Sequence, residues 1–337
     1  MVRDLLGRLV EGRSLDEEEA SFLMGHMMSG EASPALIAAV LTALRIKGET
    51  PEEVTGFARA MREHSVRIEP RCERLVDTCG TGGGKVTTFN ISTAAAFVVA
   101  GAGISVAKHG NRAMTSACGS ADVLEALGVR IDLPAERVCA CVEEVGIGFM
   151  FAQAHHPAMK HVAPVRKELP FRTVFNCLGP LTNPAGAASQ VVGVYERRLV
   201  PLVAEVLRRL GCERALVVHG EDGLDELSTL GLTYLAEVRD NAVHEREISP
   251  DQVGLHRALP EEIGPGESPA ENAEIIRGIL RGAPGPRRDI VLLNAAAALV
   301  AAGAADDLRE AIPLAARSID TGAALRKLEA LVAFTNR

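Results

Sequence analysis

The chain contains no tryptophan and only two tyrosines and nine phenylalanines among its 337 residues. That shortage excludes a stacking-based binder of single-stranded nucleic acid, which needs aromatic platforms. Cysteine is sparse too: seven residues, an odd number, at 72, 79, 118, 139, 141, 177 and 212, with no Cys-x-x-Cys pair. This argues against a disulfide framework or a structural zinc site and makes a reducing cytoplasm the expected compartment. Positive charge is in deficit, 36 Lys and Arg against 44 Asp and Glu for a net charge of −8, which argues against nucleic acid or another large polyanion as partner. A small anion held by a few local cations stays allowed. The first residues, Met1 to Arg8, mix charges into an apolar stretch and offer no signal-peptide region. One charge-free run, Val86 to Ala107, is long enough on paper to span a bilayer. Its polar residues, Asn90 and Ser92 among them, and its small apolar ones predict instead a loop followed by a buried helix and strand. No membrane association is expected.

What is present suits a globular protein. Hydrophobic residues make up 47% of the chain and charged residues 24%, enough for a packed core and an ordinary surface, which excludes disorder as the main state. The length suggests two domains, or one large domain with an appendage. Residues 1 to about 65 carry helix punctuation. Ser14 with Glu17 reads as a capping box, Gly30 as a stop, Ser33-Pro34 as an N-cap before a first-turn proline, and Thr50-Pro51 with Glu53 as a second box. The stripe Leu36, Ile37, Val40, Leu41 and Leu44 marks an amphipathic face. So small a bundle encloses little core, and packing against the rest of the chain or a second copy is expected.

From about residue 74 short β-branched runs alternate with Ala-rich helical segments. The runs begin at Leu75, Ile104, Phe149, Thr173 and Ala215. The alternation predicts a largely parallel sheet covered by helices, with ligands at the carboxyl ends of the strands. The polar segment from 240 to 270 reads as a peripheral excursion.

Four groups of residues carry chemistry. The first run leads into Asp77-Thr-Cys-Gly80-Thr-Gly-Gly-Gly84-Lys and then Asn90-Ile-Ser-Thr93. The glycines leave backbone N–H groups unobstructed, and a helix starting near Asn90 aims its positive end at them, which makes an anion nest. Ser92 and Thr93 add hydroxyls for a phosphate or metal. The spacing fits neither a P-loop nor a dinucleotide fingerprint. Second, Lys108-His-Gly-Asn-Arg112 with Gly119-Ser120 forms another anion-binding edge after a strand, with Lys108 and Arg112 as its cations. Third, His155, His156, His161 and Arg166 resemble a metal cluster superficially, but no acidic or thiol residue completes it. A positive patch for a carboxylate fits better, with the planar fork of Arg166 as its centre; His155 and His161 are equally well explained as structural. Fourth, Asp225 and Glu226 suit a hydrated Mg²⁺, an acidic helix N-cap, or both.

These elements, in this order, resemble the anthranilate phosphoribosyltransferase family of the nucleoside phosphorylase-like phosphoribosyltransferases. The matching text is Gly80-Thr-Gly-Gly83, Asn90-Ile-Ser-Thr93, Lys108-His-Gly-Asn-Arg112, Gly119-Ser-Ala-Asp-Val-Leu124 and His156-Pro-Ala-Met-Lys160. Phe175-Asn-Cys-Leu-Gly-Pro-Leu-Thr-Asn-Pro184 and Asp222-Gly-Leu-Asp-Glu226 complete it. The resemblance covers essentially the whole chain. It implies an α/β fold class with a small N-terminal helical domain, residues 1–70, to which a segment near 166–188 returns. Residues 71–165 and 189–337 then form a larger α/β domain whose mainly parallel sheet is flanked by helices. It further implies a homodimer through the helical domains. The implied activity is that of a pentosyltransferase of tryptophan biosynthesis, moving phosphoribose from phosphoribosyl pyrophosphate to the amino group of anthranilate and releasing pyrophosphate.

By the same resemblance, Gly80, Thr81, Gly82, Gly83, Thr88, Asn90, Ser92, Thr93, Lys108 and Ser120 hold phosphoribosyl pyrophosphate. Ser92, Asp225 and Glu226 serve Mg²⁺. His109, Asn111, His156 and Arg166 line the path of anthranilate, with His109, Asn111 and Arg166 closest to the chemistry. Two departures from the family pattern stand out: Gly84 replaces the usual Asp, and Ala117-Cys118 replaces the usual Lys-Ser, with Lys85 a candidate to restore charge. Two alternatives fit the sequence less well. A pyrimidine nucleoside phosphorylase shares the architecture but not the runs at 108–111 and 176–184. A non-catalytic nucleic-acid-binding paralogue conflicts with the net charge and the Asp225-Glu226 pair.

Overall fold

Four helices open the chain: α1 (Val2–Val10), α2 (Glu17–Met28), α3 (Pro34–Lys47) and α4 (Pro51–Glu63). The structure is a computed structural model that describes residues 1–113 and 118–337. Ser33 caps α3 by accepting from the Leu36 N–H at 3.3 Å, and Thr50 and Glu53 exchange capping bonds at the start of α4. The box before α2 lies two residues later than its sequence suggests. Asp16, not Ser14, accepts from Glu19 N at 2.8 Å, and Glu19 accepts from Asp16 N at 3.1 Å. Leu15, just before this cap, is buried and donates its N–H to the fully buried Glu53 carboxylate at 3.0 Å, which anchors the chain ahead of the helix. Glu17 is thereby released to pair with Arg59 at 2.6 Å and Arg209 at 2.8 Å.

The remaining helices are α5 (Ile91–Gly101), α6 (Ser120–Ala126), α7 (Ala135–Val145), α8 (Ala152–His155), α9 (Ala163–Glu168), α10 (Phe175–Leu181) and α11 (Leu199–Arg209). They are followed by α12 (Pro269–Leu280), α13 (Pro286–Ala301), α14 (Leu308–Asp320) and α15 (Ala323–Thr335). Seven strands, β1 (Leu75–Gly80), β2 (Ser105–Gly110), β3 (Ile147–Phe151), β4 (Ser189–Gly193), β5 (Arg214–Gly220), β6 (Thr233–Arg239) and β7 (Ala242–Ile248), form one sheet in the order β3-β2-β1-β4-β5-β6-β7. The first five are parallel, and β6 and β7 are antiparallel additions. The chain winds outward from β1 to β3 and then returns to the other side of β1, so the strand order reverses between β1 and β4. Ligands of open α/β sheets bind at such a switch point.

The expected strand at Thr173 is absent. Asn176 accepts from the Thr173 N–H at 2.9 Å and closes a turn that starts α10, since three β-branched or aromatic residues beside an Asn are too short a run to hold a ladder. The expected excursion after 240 begins as strand β7, joined to β6 by a two-residue hairpin in which Asp240 and Asn241 have φ of 53° and 57°. Those are the paired positive angles of a tight hairpin turn, which Asp and Asn tolerate.

One face of the sheet is covered by α5 and α13, both rich in buried Ala, Val and Leu. Small side chains let these helices approach closely. On the other face a second core joins Leu23, Met24 and Phe57 of the helical bundle to Phe175 and Leu178 of α10 and Val203 of α11. The bundle therefore packs against the rest of its own chain. No helix among the described residues is long and apolar enough to cross a membrane, and no disulfide joins the cysteines.

Candidate active site

The glycine-rich loop leaves β1 at the switch point and is stitched to its neighbours. Thr81 N donates to Gly193 O at the end of β4 (2.9 Å), Tyr195 N donates to the Thr81 hydroxyl (3.0 Å), and Lys85 N donates to Gly223 O (2.9 Å). Gly82 and Gly83 have φ of +68° and +76°, a left-handed backbone that side chains rarely adopt. Packed over the loop is the segment carrying Asp225, to which the Gly82 N–H donates. Its approach is close: a Cβ on Gly193 would lie 1.6 Å from Asp225 O, and one on Gly84 would lie 2.8 Å from Gly223 O and 3.0 Å from an Asp225 carboxylate oxygen. Gly84, the departure from the family pattern, is thus the residue this packing admits. Lys85 is exposed and lies beside Gly223. Thr88, further along, is half-buried.

Asn90 caps α5, whose first turn meets the acidic pair. Ser92 N donates to Glu226 Oε1 at 3.2 Å, and the Ser92 hydroxyl accepts from Lys108 Nζ at 3.3 Å. Lys108 Nζ also donates to Thr78 O. Burial and the neighbouring Asp225 carboxylate push Glu226 up to about 8, and burial raises Asp225 as well. Burial draws the Lys108 ammonium down from the usual lysine range, against the attraction of Asp77 and Glu226. The acidic pair does not cap the helix that follows it, because the chain runs from there into β6. Glu226 instead faces the N-terminus of α5, across the site.

The second edge differs in detail from its sequence outline. Strand β2 extends to Gly110, so Lys108 and His109 lie within it and their side chains take opposite faces. His109 N donates to Asp77 Oδ1 at 3.2 Å, and Asn183 Nδ2 donates to Asp77 Oδ2 at 2.7 Å and to Ala107 O at 2.9 Å. Arg112 is not a vacant cation. It pairs with Asp122 at 3.1 Å and with Glu125, so the edge keeps Lys108 alone of its two expected cations. Asn111 accepts through its backbone oxygen from Ala121 N (3.2 Å) and Ser120 Oγ (3.3 Å), which seats the start of α6. Ala117 lies outside the described residues.

On the α10 side, His109 Nδ1 bonds Gly179 O at 3.2 Å, its ring stands 5.1 Å from that of His156, and His156 bonds the Thr182 backbone. With burial the main cause and each ring adding to it a neighbouring imidazole, His109 is held down to about 3 and His156 to about 4, so both are neutral at pH 7. Arg166 on α9 stacks over Phe175 with its guanidinium carbon 4.9 Å from the ring centre. Among the described residues no carboxylate pairs with it; burial alone acts on it and lowers its pKa. His155 proves structural, bonding Val66 O at 2.7 Å, and His161 packs against Gly30 at the end of α2.

Some buried polar side-chain atoms lack a hydrogen-bond partner. Among the described residues they include Asn90 Oδ1, Thr93 Oγ1, His109 Nε2 and His156 Nε2. Native proteins leave few such groups, and each is one that a bound polar ligand could satisfy.

The chain matches the glycosyl transferase family a/b domain over residues 72–325 and the helical bundle domain of the same family over residues 3–65. It is 56% identical to the anthranilate phosphoribosyltransferase of Symbiobacterium thermophilum over all of this chain and 98% of that one. The chain belongs to the anthranilate phosphoribosyltransferase family. The family structure from Thermus thermophilus is 47% identical, covers 99% of this chain and all of its own, and superposes with a TM-score of 0.94. A Saccharomyces cerevisiae family structure in complex with PRPP and Mg is 28% identical, with a TM-score of 0.91 over 99% of this chain and 98% of its own. Another from the same yeast, in complex with 4-fluoroanthranilate, is 26% identical with a TM-score of 0.88 over the same shares. These relatives support neither the nucleoside phosphorylase nor the nucleic-acid-binding alternative.

Three residues that matter to the geometry of this family member were not singled out from its sequence. Asp77 and Asn183 lock β1, β2 and the 176–184 run together, and Arg172 donates to Gly83 O at 2.7 Å while its guanidinium lies 3.9 Å from the Tyr195 ring centre. Asp77 and Asn183 lie inside long motif runs, which do not tell a ligand contact from a brace, and Arg172 lies in none of them.

Proposed function

We propose that the protein transfers the 5-phosphoribosyl group of phosphoribosyl pyrophosphate to the amino group of anthranilate, with release of pyrophosphate, as an enzyme of tryptophan biosynthesis. The observation that carries this is that Asn90 and Thr93 at the start of α5, and His109 and His156 beside α10, hold buried polar atoms with no partner among the described residues, while the Arg166 guanidinium is buried against Phe175 with no carboxylate paired to it among those residues. The first two suit the phosphorylated sugar, and the others suit an aromatic acid with an amine.

The anion half is the glycine loop and α5. Gly83 and Gly84 N–H make no backbone bond among the described residues, and α5 begins shortly after the loop with the positive end of its dipole. Gly80, Thr81, Gly82, Gly83, Thr88, Asn90, Ser92, Thr93, Lys108 and Ser120 are assigned to phosphoribosyl pyrophosphate. Asp225, Glu226 and the Ser92 hydroxyl fit a hard divalent cation. They are oxygen donors, and two buried carboxylates raised toward protonation are what a cation relieves. Among the described residues no three His, Cys, Asp or Glu side chains form a metal cage, so phosphate oxygens and water complete such a shell. Bound there, Mg²⁺ supplies positive charge to the departing diphosphate.

The acceptor half is Arg166, His109, His156 and Asn111. Arg166 presents two parallel donors to the anthranilate carboxylate. His109, with Nδ1–H committed to Gly179 O, offers Nε2 as an acceptor for an amine N–H, which orients the amine lone pair toward the sugar. An aryl amine is neutral at pH 7 and needs no base to attack. Once alkylated it is a strong acid, so a weakly basic imidazole or a water suffices to receive the late proton. Orientation of this kind contributes up to about 7–11 kcal/mol to barrier reduction.

Residues 1–70 with 166–188 are assigned to the helical domain, and 71–165 with 189–337 to the catalytic domain. Val10 and Ile46, exposed at 70% and 81% on α1 and α3, supply an apolar face for a second copy, and a cytoplasmic homodimer is the assigned form. The test of the activity is consumption of anthranilate fluorescence with phosphoribosyl pyrophosphate and Mg²⁺. Turnover requiring all three is expected; phosphorolysis of a pyrimidine nucleoside in its place would overturn the assignment.

A further inference from the structure

We propose that Arg172 is a positioning residue that sets the glycine-rich loop for the diphosphate, so that the segment bringing Arg166 to the acceptor also fixes the donor site. The proposal rests on the substrate assignment above. Arg172 lies between α9 and α10, outside the loop, yet its Nη2 donates to Gly83 O at 2.7 Å. Its guanidinium rests on the Tyr195 ring at 3.9 Å, and the Tyr195 N–H holds the Thr81 hydroxyl at 3.0 Å. Two points of the loop are therefore tied through one stacked pair. Gly83 leaves room for the contact: a Cβ there would stand 2.8 Å from Arg172 Nη2.

The consequence for binding follows from peptide geometry. In a planar trans peptide the C=O and the following N–H point in opposite directions. Holding Gly83 O toward Arg172 turns the Gly84 N–H away from it, and that N–H makes no backbone bond among the described residues. Gly82 and Gly83 both sit in the left-handed region, which glycine leaves as readily as it enters. Without the brace the peptide between Gly83 and Gly84 would be held only through its chain neighbours, and the Gly84 N–H would lose its set direction. Arg172 thus acts through the backbone, and its role is distinct from adding positive charge.

Three variants separate these roles. Arg172→Ala removes the brace and the charge, Arg172→Gln keeps an N–H donor without charge, and Arg172→Lys keeps the charge without the planar stack. In steady-state kinetics Arg172→Ala is expected to raise the KM for phosphoribosyl pyrophosphate by about tenfold or more, the worth of one bond to a charged donor. The anthranilate KM should stay within about threefold, and Arg172→Gln should recover most of the loss. Equal rises in both KM values, or rescue by Lys and not by Gln, would overturn the proposal. Backbone amide order parameters of the ligand-free protein provide a measurement that needs no substrate. Those of Gly82 to Gly84 should fall from rigid values to below about 0.6 in Arg172→Ala, and an unchanged loop would also overturn it. Should the wild-type protein fail to bind phosphoribosyl pyrophosphate while the loop still loosens, the substrate assignment fails and the brace stands.

Discussion

Replacing Arg166 by Ala isolates the recognition of the acceptor carboxylate. The guanidinium stacks on Phe175 and meets no carboxylate among the described residues, so its removal leaves no buried anion behind and folding stability should change little. What is lost is a pair of charge-assisted hydrogen bonds to the substrate, worth about 1.5–3 kcal/mol. That range corresponds to a fall of roughly 10- to 150-fold in kcat/KM for anthranilate. The KM for phosphoribosyl pyrophosphate should stay near its wild-type value, because the anion loop is built from backbone groups that Arg166 does not contact. Initial rates from anthranilate fluorescence, with each substrate varied at saturation of the other, measure both constants. Arg166→Lys should recover little of the loss, since an ammonium cannot make the paired contact. Equal increases in the two KM values, or a large drop in melting temperature, would refute the role given to Arg166.

Other expectations follow from the same geometry. His109 and His156 titrate near 3 and 4 in the folded protein but near 6.5 when unfolded. The unfolded chain therefore binds more protons between those values, and the stability due to neutral burial, complete above about pH 6.5, should be lost as pH falls toward 4. Denaturant unfolding at pH 7 and pH 5 measures this, and His109→Asn should flatten the slope. Gly193→Ala places a methyl 1.6 Å from Asp225 O, so it should displace the acidic segment and raise the Mg²⁺ concentration needed for half-maximal activity. An unchanged Mg²⁺ titration would contradict the assigned metal site. Asn183→Ala removes the amide that bridges Asp77 and Ala107 O and should cost about 1–3 kcal/mol in unfolding free energy by leaving a buried carboxyl short of a partner. Val10→Asp with Ile46→Asp should convert a dimer to monomers in light scattering, and a double variant that remains dimeric would locate the interface elsewhere.

The sequence on its own determined the composition-level class, the helical punctuation at Ser33 and Thr50, the alternating segments and the candidate residues. These are local properties: a capping side chain, a proline at the first turn and a run of glycines act within a few residues of themselves. The same locality explains the misses. The start of α2 lies later because Asp16 and Glu19 form the box, with the preceding Leu15 anchored to Glu53, 38 residues away, and the run at Thr173 became a turn and helix because Asn176 closes it. The Asp240-Asn241 hairpin was legible in principle, from two turn residues between alternating segments, but the polar surroundings hid it.

Tertiary structure alone decided which of the candidate residues work together. Sequence spacing gave Lys108 and Arg112 equal standing as cations. Folding put Lys108 under the loop beside Ser92 and Glu226 and spent Arg112 on Asp122 and Glu125. His155 and His156 are adjacent in the chain, yet one binds Val66 O and the other keeps a ring nitrogen without a partner. Charge, burial and the direction of an N–H depend on neighbours far away in sequence, and those neighbours are fixed by the return of the chain to the β1–β4 switch point. Residue types could therefore be read from the string, whereas their protonation, their availability and the bracing of the glycine loop by Arg172 required the fold.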